Sequence, residues 1–183
     1  MEITLQAVAH QISGMGNDVF EIGLYRPQTE NDARHTPEML LRTWNREALM
    51  NSLHWMRLQN LHARNIYIRP AGEHNLSLVD DLSAESVERM KRTGFDPAVI
   101  VETSPRNFQA WLKHEKPMSP ELGTAVARAL AQDFEGDKGA ADWRHFGRLS
   151  GFTNRKEKHR MDNGQYPFVR LIEAWSLPNR GQQ

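Results

Sequence analysis

Apolar positions along the chain change period several times, and each change marks an element. Leu5, Val8, Ala9 and Ile12 recur at helical spacing, with Gly14 and Gly16 read as the stop of that helix. Phe20, Ile22 and Leu24 alternate, which predicts a strand over 18–25, followed by a polar loop over 26–36. Met39 to Trp44 is ambiguous in pattern and is assigned to a second strand closing a hairpin. Asn45 can cap a long helix to about residue 63, with Leu49, Leu53 and Met56 facing the core. Ile66 and Ile68 predict a short strand ending at Pro70. Leu76 to Val79 predicts another, ending at Asp80–Asp81. Ser83 caps a helix through Val87 and Met90 that Gly94 stops. The continuous apolar run Ala98–Val101 suits a strand buried on both faces. From Asn107 to Lys113, Phe108, Ala110 and Leu112 alternate with Gln109 and Trp111. Ser119–Pro120 opens a helix carrying Leu122, Val126, Leu130 and Phe134. Residues 135–165 are irregular, and Phe168 to Ile172 predicts the last strand.

Strand pairs separated by helices give the expected fold class, α/β (α+β), with a mixed sheet flanked by helices. At 183 residues, with 39% hydrophobic and 25% charged positions, the chain can build one core and is not of disordered composition. No repeat or linker divides it. The absence of cysteine excludes a disulfide scaffold, a thiol nucleophile and a Cys zinc site. No apolar run approaches membrane-spanning length, and no signal peptide is evident, so a cytoplasmic location is expected.

Lys plus Arg equals Asp plus Glu at 23 each, which excludes a uniformly basic chain, but the balance is local. Residues 71–102 hold seven acids against three bases, and residues 143–170 hold seven bases against two acids. An acidic centre therefore stands beside a basic C-terminal third, the charge arrangement of a cation site next to an anion site.

Four segments carry candidate chemistry. In Ser77-Leu78-Val79-Asp80-Asp81 an apolar strand delivers adjacent carboxylates into a turn. Two such charges about 4 Å apart repel by about 4 kcal/mol at a surface-like dielectric, and a hard cation relieves that repulsion. The plainer reading is that one of them caps the following helix. Successive strand side chains point to opposite faces, so both reach one metal only if the strand has ended or bulged there. In the segment 137–148, Asp137 and Asp142 are each candidates for a further ligand. Arg144 and Arg148 would share a face if this stretch is helical, and guanidinium forks suit triphosphate oxygens. His145 can contact a phosphate or a sugar, and Trp143 is the tryptophan expected to line a site. The alternative is an Asp/Arg cluster on a loop. Gly151 to Arg160 is basic, with Tyr166 and Phe168 nearby, the combination used by single-strand binders; a solvated loop is the alternative. The polar turn Glu102 to Gln109 offers amides that can hold a template, or is a plain β-turn.

Together these segments resemble the RepB-like plasmid DNA primases. The resemblance rests on Asn65-Ile66-Tyr67-Ile68-Arg69-Pro70, Leu78-Val79-Asp80-Asp81-Leu82, Val101-Glu102-Thr103-Ser104-Pro105 with Asn107 and Gln109-Ala110-Trp111, and Arg144-His145 with Gly147-Arg148-Leu149 and Gly151-Phe152-Thr153-Asn154-Arg155-Lys156. It covers about Leu5 to Leu171. It implies a primase-polymerase type catalytic domain of the archaeo-eukaryotic primase class, with an RRM-like core over residues 1–172. Residues 173–183 are then a tail or the start of a linker to a helical domain. The implied activity is synthesis of short primers on single-stranded DNA by metal-dependent nucleotidyl transfer, in plasmid or mobile-element replication. Mg²⁺ or Mn²⁺ would be the cofactor and nucleoside triphosphates the substrates.

By position, the resemblance makes Asp80, Asp81 and Asp137 the catalytic, metal-binding carboxylates, with Asp142 as runner-up for the third. It makes Arg144, His145, Arg148 and Lys156 nucleotide contacts, and Asn107, Gln109, Arg155 and Lys158 the DNA-binding set. The implied partners are single-stranded DNA template, nucleotides, and a helical C-terminal domain or a replicative helicase, without a membrane. There are departures. The acids are adjacent here, where the wider class often spaces them by one residue. No His follows Ser104 at the wider class's Ser-x-His spacing, and the loop Gln28–Thr36 is longer than the family hairpin. The competing reading is a non-catalytic single-stranded-DNA-binding accessory domain. A rolling-circle nuclease lacks its His-x-His here, and the glycine motifs of phosphate-loop and dinucleotide binders are missing.

Overall fold

The computed structural model describes residues 2–27 and 38–175. Helix α1 (Glu2–Met15) leads into strands β1 (Val19–Tyr25) and β2 (Met39–Asn45). Then come α2 (Arg46–Asn51), α3 (Leu53–Leu61), β3 (Asn65–Pro70), β4 (Leu76–Leu82), α4 (Ala84–Arg92), β5 (Val99–Ser104), β6 (Asn107–Lys113) and α5 (Pro120–Asp133). The short β7 (Gly147–Arg148) and β8 (Arg170–Ala174) close the fold. The polar loop expected over 26–36 lies mostly outside the described residues, as does the tail from 176 onward. β8 runs on to Ala174, past the expected boundary at 172. Among the described residues no helix is long and apolar enough to cross a membrane.

The α+β class is as expected, and the strands partition into two sheets of four, ordered β2-β1-β3-β7 and β4-β6-β5-β8. Among the described residues every pairing is antiparallel, so the sheets are not mixed. One core joins them. Phe20, Ile22, Leu24, Ile66 and Ile68 of the first sheet meet Leu76, Leu78, Val99, Val101 and Trp111 of the second. The other face of the second sheet (Val79, Leu82, Ile100, Ala110, Leu112) is covered by α4 and α5 through Val87, Met90, Leu130 and Phe134. A strand inside two cores reads as a continuous apolar run, which explains Val99-Ile100-Val101.

Three local expectations shift. The helix expected from Asn45 to about residue 63 is broken at Ser52, whose hydroxyl donates to Ala48 O at 2.8 Å, a back-bond that bends helices. Gly14 lies within α1 and is a contact rather than a stop: a Cβ there would sit 2.7 Å from Val99 Cγ2. On α5 the buried stripe is Gly123, Ala127, Leu130 and Ala131, leaving Leu122 exposed.

Candidate active site

The two sheets leave a cavity of about 380 Å³ where β4, β5 and β6 end beside β3 and β7. Asp80, Asp81 and Asp137 all line it, and a bulge is what brings the first two together. Between Val79↔Ala110 and Leu82↔Phe108, β4 advances three residues while β6 advances two. Asp81 takes the extra place with φ +60, the left-handed conformation that Asp tolerates better than most residues. The extra residue also resets the alternation, so Leu82 returns to the face of Val79. Neither aspartate caps α4; Ser83 does, accepting from Ser86 N at 3.1 Å.

Asp137 comes from the turn after α5. Its N–H donates to Asp80 O at 2.9 Å, and its Oδ1 accepts from Gly139 N at 2.8 Å. Gly136 permits that approach, since a Cβ there would fall 2.7 Å from Val79 Cγ1 and 2.8 Å from Asp80 O. Asp80 Oδ1 accepts from Asp81 N at 2.7 Å, and Asp81 Oδ1 accepts from Asn107 Nδ2 at 2.6 Å. Each of the three carboxylate bonds uses Oδ1. Among the described residues none of the three aspartates has an ion-pair partner within 4 Å.

The opposing wall is cationic. Arg148 is 3% exposed, stacks its guanidinium 4.5 Å from the centre of the Tyr67 ring, and donates to Asn65 Oδ1 and Asn154 Oδ1. Among the described residues no carboxylate bonds it; burial lowers its pKa, while the charges of Tyr67 and Asp80 raise it. Lys156, Lys158 and His159 complete the wall. Lys156 is lowered chiefly by burial and then by Arg148 and Lys158. His159 is lowered by burial, then by Lys158, Lys156 and Arg148. Such a site has room for an anion, which would relieve the cations, beside a cation, which would relieve the aspartates.

The carboxylates fit a divalent metal in chemistry and access. They are hard oxygen donors on one cavity, each with Oδ2 free of hydrogen bonds among the described residues. Among the described residues no three Asp, Glu or His side chains are grouped closely enough to hold a metal ion by themselves. That arrangement matches Mg²⁺, which takes few carboxylates and completes its shell with water and phosphate oxygens.

Not every expected residue reaches the cavity. Arg144 and Arg148 do not share a helical face, because β7 begins between them. Arg144 lines shallower depressions with Arg69 outside the cavity, and its guanidinium lies 5.6 Å from the Trp143 ring centre. Asp142 is out there too, accepting from Arg144 N at 2.8 Å. His145 does line the cavity, as do Asn107 and Lys158. Gln109 lies in the floor of the cavity, and its Oε1 accepts from Arg148 N at 2.7 Å, tying one sheet to the other. Arg155 points away, its guanidinium 4.2 Å from the Tyr166 ring centre.

A family model described as the RepB DNA-primase N-terminal domain matches residues 31–177. This chain belongs to that family. The RepB-type domain is 42% identical over 173 residues, 93% of the chain, to mobilization protein A of Escherichia coli, of which it spans 23%. It is 35% identical over 124 residues, 64% of the chain, to a DNA primase of Acidithiobacillus ferrooxidans, of which it spans 35%. Its fold is similar to the catalytic domain of primase RepB′, solved in complex with initiator DNA, with a TM-score of 0.84 and 39% identity over 96% of this chain and 87% of that one. The chain thus spans about a quarter to a third of the length of those two full proteins.

Sequence reasoning about this RepB-type domain missed several supports of the site. Tyr67 and Asn154 fell inside matched segments without a role, and His159 was given none. His74 carried no reading. It is buried, accepts from Leu76 N on Nδ1 at 3.2 Å, and so donates from Nε2 to Trp143 O at 2.9 Å. Arg69, stacked 4.1 Å from the Phe146 ring centre, donates to Arg144 O at 2.6 Å. Two successive carbonyls of the loop carrying His145 are therefore clamped. The available signal was an isolated His and Arg flanking a turn within 70–75, too common to single out.

Proposed function

We propose that this domain is a DNA primase that extends short primers on a single-stranded DNA template by nucleotidyl transfer, in plasmid or mobile-element replication. The observation that carries the reading is the convergence of three unpaired aspartates and a buried, carboxylate-free arginine on one cavity. Asp80, Asp81 and Asp137 would hold Mg²⁺ or Mn²⁺, which lowers the pKa of the attacking 3′-hydroxyl and neutralises the transferred phosphoryl group. Asn107 orients the Asp81 carboxylate. Arg148, pre-aligned by Asn65, Asn154 and Tyr67, binds phosphate oxygens of the incoming nucleotide without reorganising. Lys156 and Lys158 neutralise the triphosphate, and His145 contacts the phosphate or sugar from the clamped loop. Arg144 and Arg155 stand outside this cavity and serve DNA instead.

The initiator DNA bound to RepB′ supports a DNA template for this domain. A helical C-terminal domain or a replicative helicase would act with the domain at initiation. The test is primer synthesis on single-stranded DNA with labelled nucleotides and Mg²⁺ or Mn²⁺. Short products from the wild type and none from Asp80→Ala/Asp81→Ala are expected. No extension even of a supplied primer would sink the proposal.

A further inference from the structure

Beyond the cavity wall, the chain from Asn154 to Phe168 folds back on itself. Asn154 N donates to Pro167 O at 2.8 Å, and Thr153 bridges Phe168 in antiparallel fashion. One side of this excursion supplies Asn154, Lys156, Lys158 and His159 to the cavity. The other side carries Arg155, Tyr166 and Phe168. The Tyr166 ring is fixed twice: the Arg155 guanidinium lies 4.2 Å from its centre, and its hydroxyl donates to Glu157 Oε2 at 2.6 Å. The Nε of Arg155 is buried with no hydrogen-bond partner among the described residues.

Phe168 is 59% exposed while Val169 beside it is 2% exposed. That alternation continues through Arg170 and Ile172 along β8, the open edge of the second sheet. Arg170 is held upright by Glu102 Oε2 at 3.1 Å, and Glu102 Oε1 accepts from Arg106 N at the tip of the β5–β6 turn that lines the cavity. A line of ring, guanidinium, ring and guanidinium thus starts one residue from the cavity wall and runs outward along a strand edge.

An apolar partner would leave Arg155 without a counter-charge and Arg170 with Glu102 alone, and an acidic peptide would leave the rings unused. A flexible polyanion with flat bases uses both. The sum of charge over 153–170, five bases and two acids, has the sign such a ligand requires. We propose that Arg155, Tyr166, Phe168 and Arg170 form a track on which single-stranded DNA stacks its bases as it leaves the cavity. This rests on the reading of the cavity as a template-directed site. It adds which face of the domain the template crosses.

The probe is a fluorescein-labelled oligothymidylate, followed by anisotropy over a range of salt. Because ring stacking is worth a factor of about fivefold to a hundredfold per base, Phe168→Ala should weaken binding by at least about fivefold. Phe168→Trp should restore it, and both variants should melt with the wild type because the side chain is exposed. Arg155→Gln/Arg170→Gln should flatten the dependence of log affinity on log salt. With a supplied primer, Phe168→Ala should raise the template concentration needed for half-maximal extension and leave the requirement for nucleotide unchanged.

Wild-type affinity in Phe168→Ala alongside intact extension would overturn the track and leave the primase reading standing. Weakened binding in Phe168→Ala, with no extension by any form of the domain, would support the track while the primase reading fails. A change of sedimentation coefficient in Phe168→Ala without a change in DNA affinity would make the patch a protein contact, and the track would be wrong.

Discussion

Asp137 donates its backbone N–H to the carbonyl of Asp80 at 2.9 Å, joining two carboxylates that are 57 positions apart in the chain. The bond depends on the missing side chain next door, because a Cβ on Gly136 would lie 2.8 Å from that same carbonyl oxygen. Gly136→Ala should push the turn off β4 and move Asp137 out of the cavity. Overpacking of this kind costs about 1–3 kcal/mol, which thermal melting will read. Extension of a supplied primer should fall far more than that loss explains, while anisotropy shows single-stranded DNA still bound. A variant that melts lower yet extends at the wild-type rate would separate Asp137 from the chemistry.

Asp81 occupies a left-handed bulge position at φ +60, where a residue with an ordinary side chain pays about 1–2 kcal/mol. Asn tolerates the same conformation and is isosteric. Asp81→Asn should therefore melt close to wild type while losing primer extension, and Asp81→Gly should be at least as stable and equally inactive. Asp81→Ala should be the least stable of the three. An active Asp81→Asn would show that the second carboxylate is dispensable.

Arg148 is a buried cation bonded to two amide oxygens and no carboxylate. Those oxygens have other donors: Asn65 Oδ1 also accepts from Arg155 N at 2.8 Å, and Asn154 Oδ1 from Lys156 N at 3.2 Å. Removing the guanidinium therefore strands neither acceptor, and a buried charge replaced by an apolar side chain is often neutral or stabilising. Arg148→Met should melt within about 1 kcal/mol of wild type or above it. Its affinity for nucleoside triphosphate, measured by calorimetry with Mn²⁺ present, should drop at least tenfold by the loss of a charge-assisted contact worth about 1.5–3 kcal/mol. A strongly destabilised Arg148→Met with intact nucleotide affinity would make the arginine a structural group only.

Local periodicity carried most elements, because helices and strands announce themselves in burial. The pairing of strands into two sheets was not legible. It depends on contacts such as Gln109 with Arg148 and Trp111 with Gly147, far apart in sequence. The site was half legible for a similar reason. Asp80 and Asp81 stand out as adjacent charges after an apolar strand, but their joint access to a cavity comes from a bulge whose register only the partner strand reveals. Arg144 and Arg148 look equivalent in sequence. One packs beside Trp143 at the surface, and the other enters β7 and is buried. Charge alone could not choose between them.

His74 offers a pH test of the loop that carries His145. Burial lowers its pKa most, and Arg69 nearby lowers it further, against hydrogen bonds with the Trp143 and Leu76 backbones that raise it. The neutral ring is the one that fits, accepting on Nδ1 and donating from Nε2. In the unfolded chain the group titrates near its ordinary value of about 6.5. Between that value and the lower folded one, the unfolded chain binds more protons, so this contribution is complete above about pH 6.5 and is lost as pH falls towards the folded value. His114 and His159 are shifted the same way and add to the slope, so the wild type alone does not isolate His74. A comparison with His74→Gln does. The variant should be less stable at pH 7.5 by about 1–3 kcal/mol, the cost of unmade buried hydrogen bonds. Its deficit should shrink towards pH 5.5, where the wild-type ring must give up a proton to stay folded. A deficit that is constant across this range would mean His74 is not held neutral, and the clamp on the Trp143 carbonyl would lose its electrostatic basis.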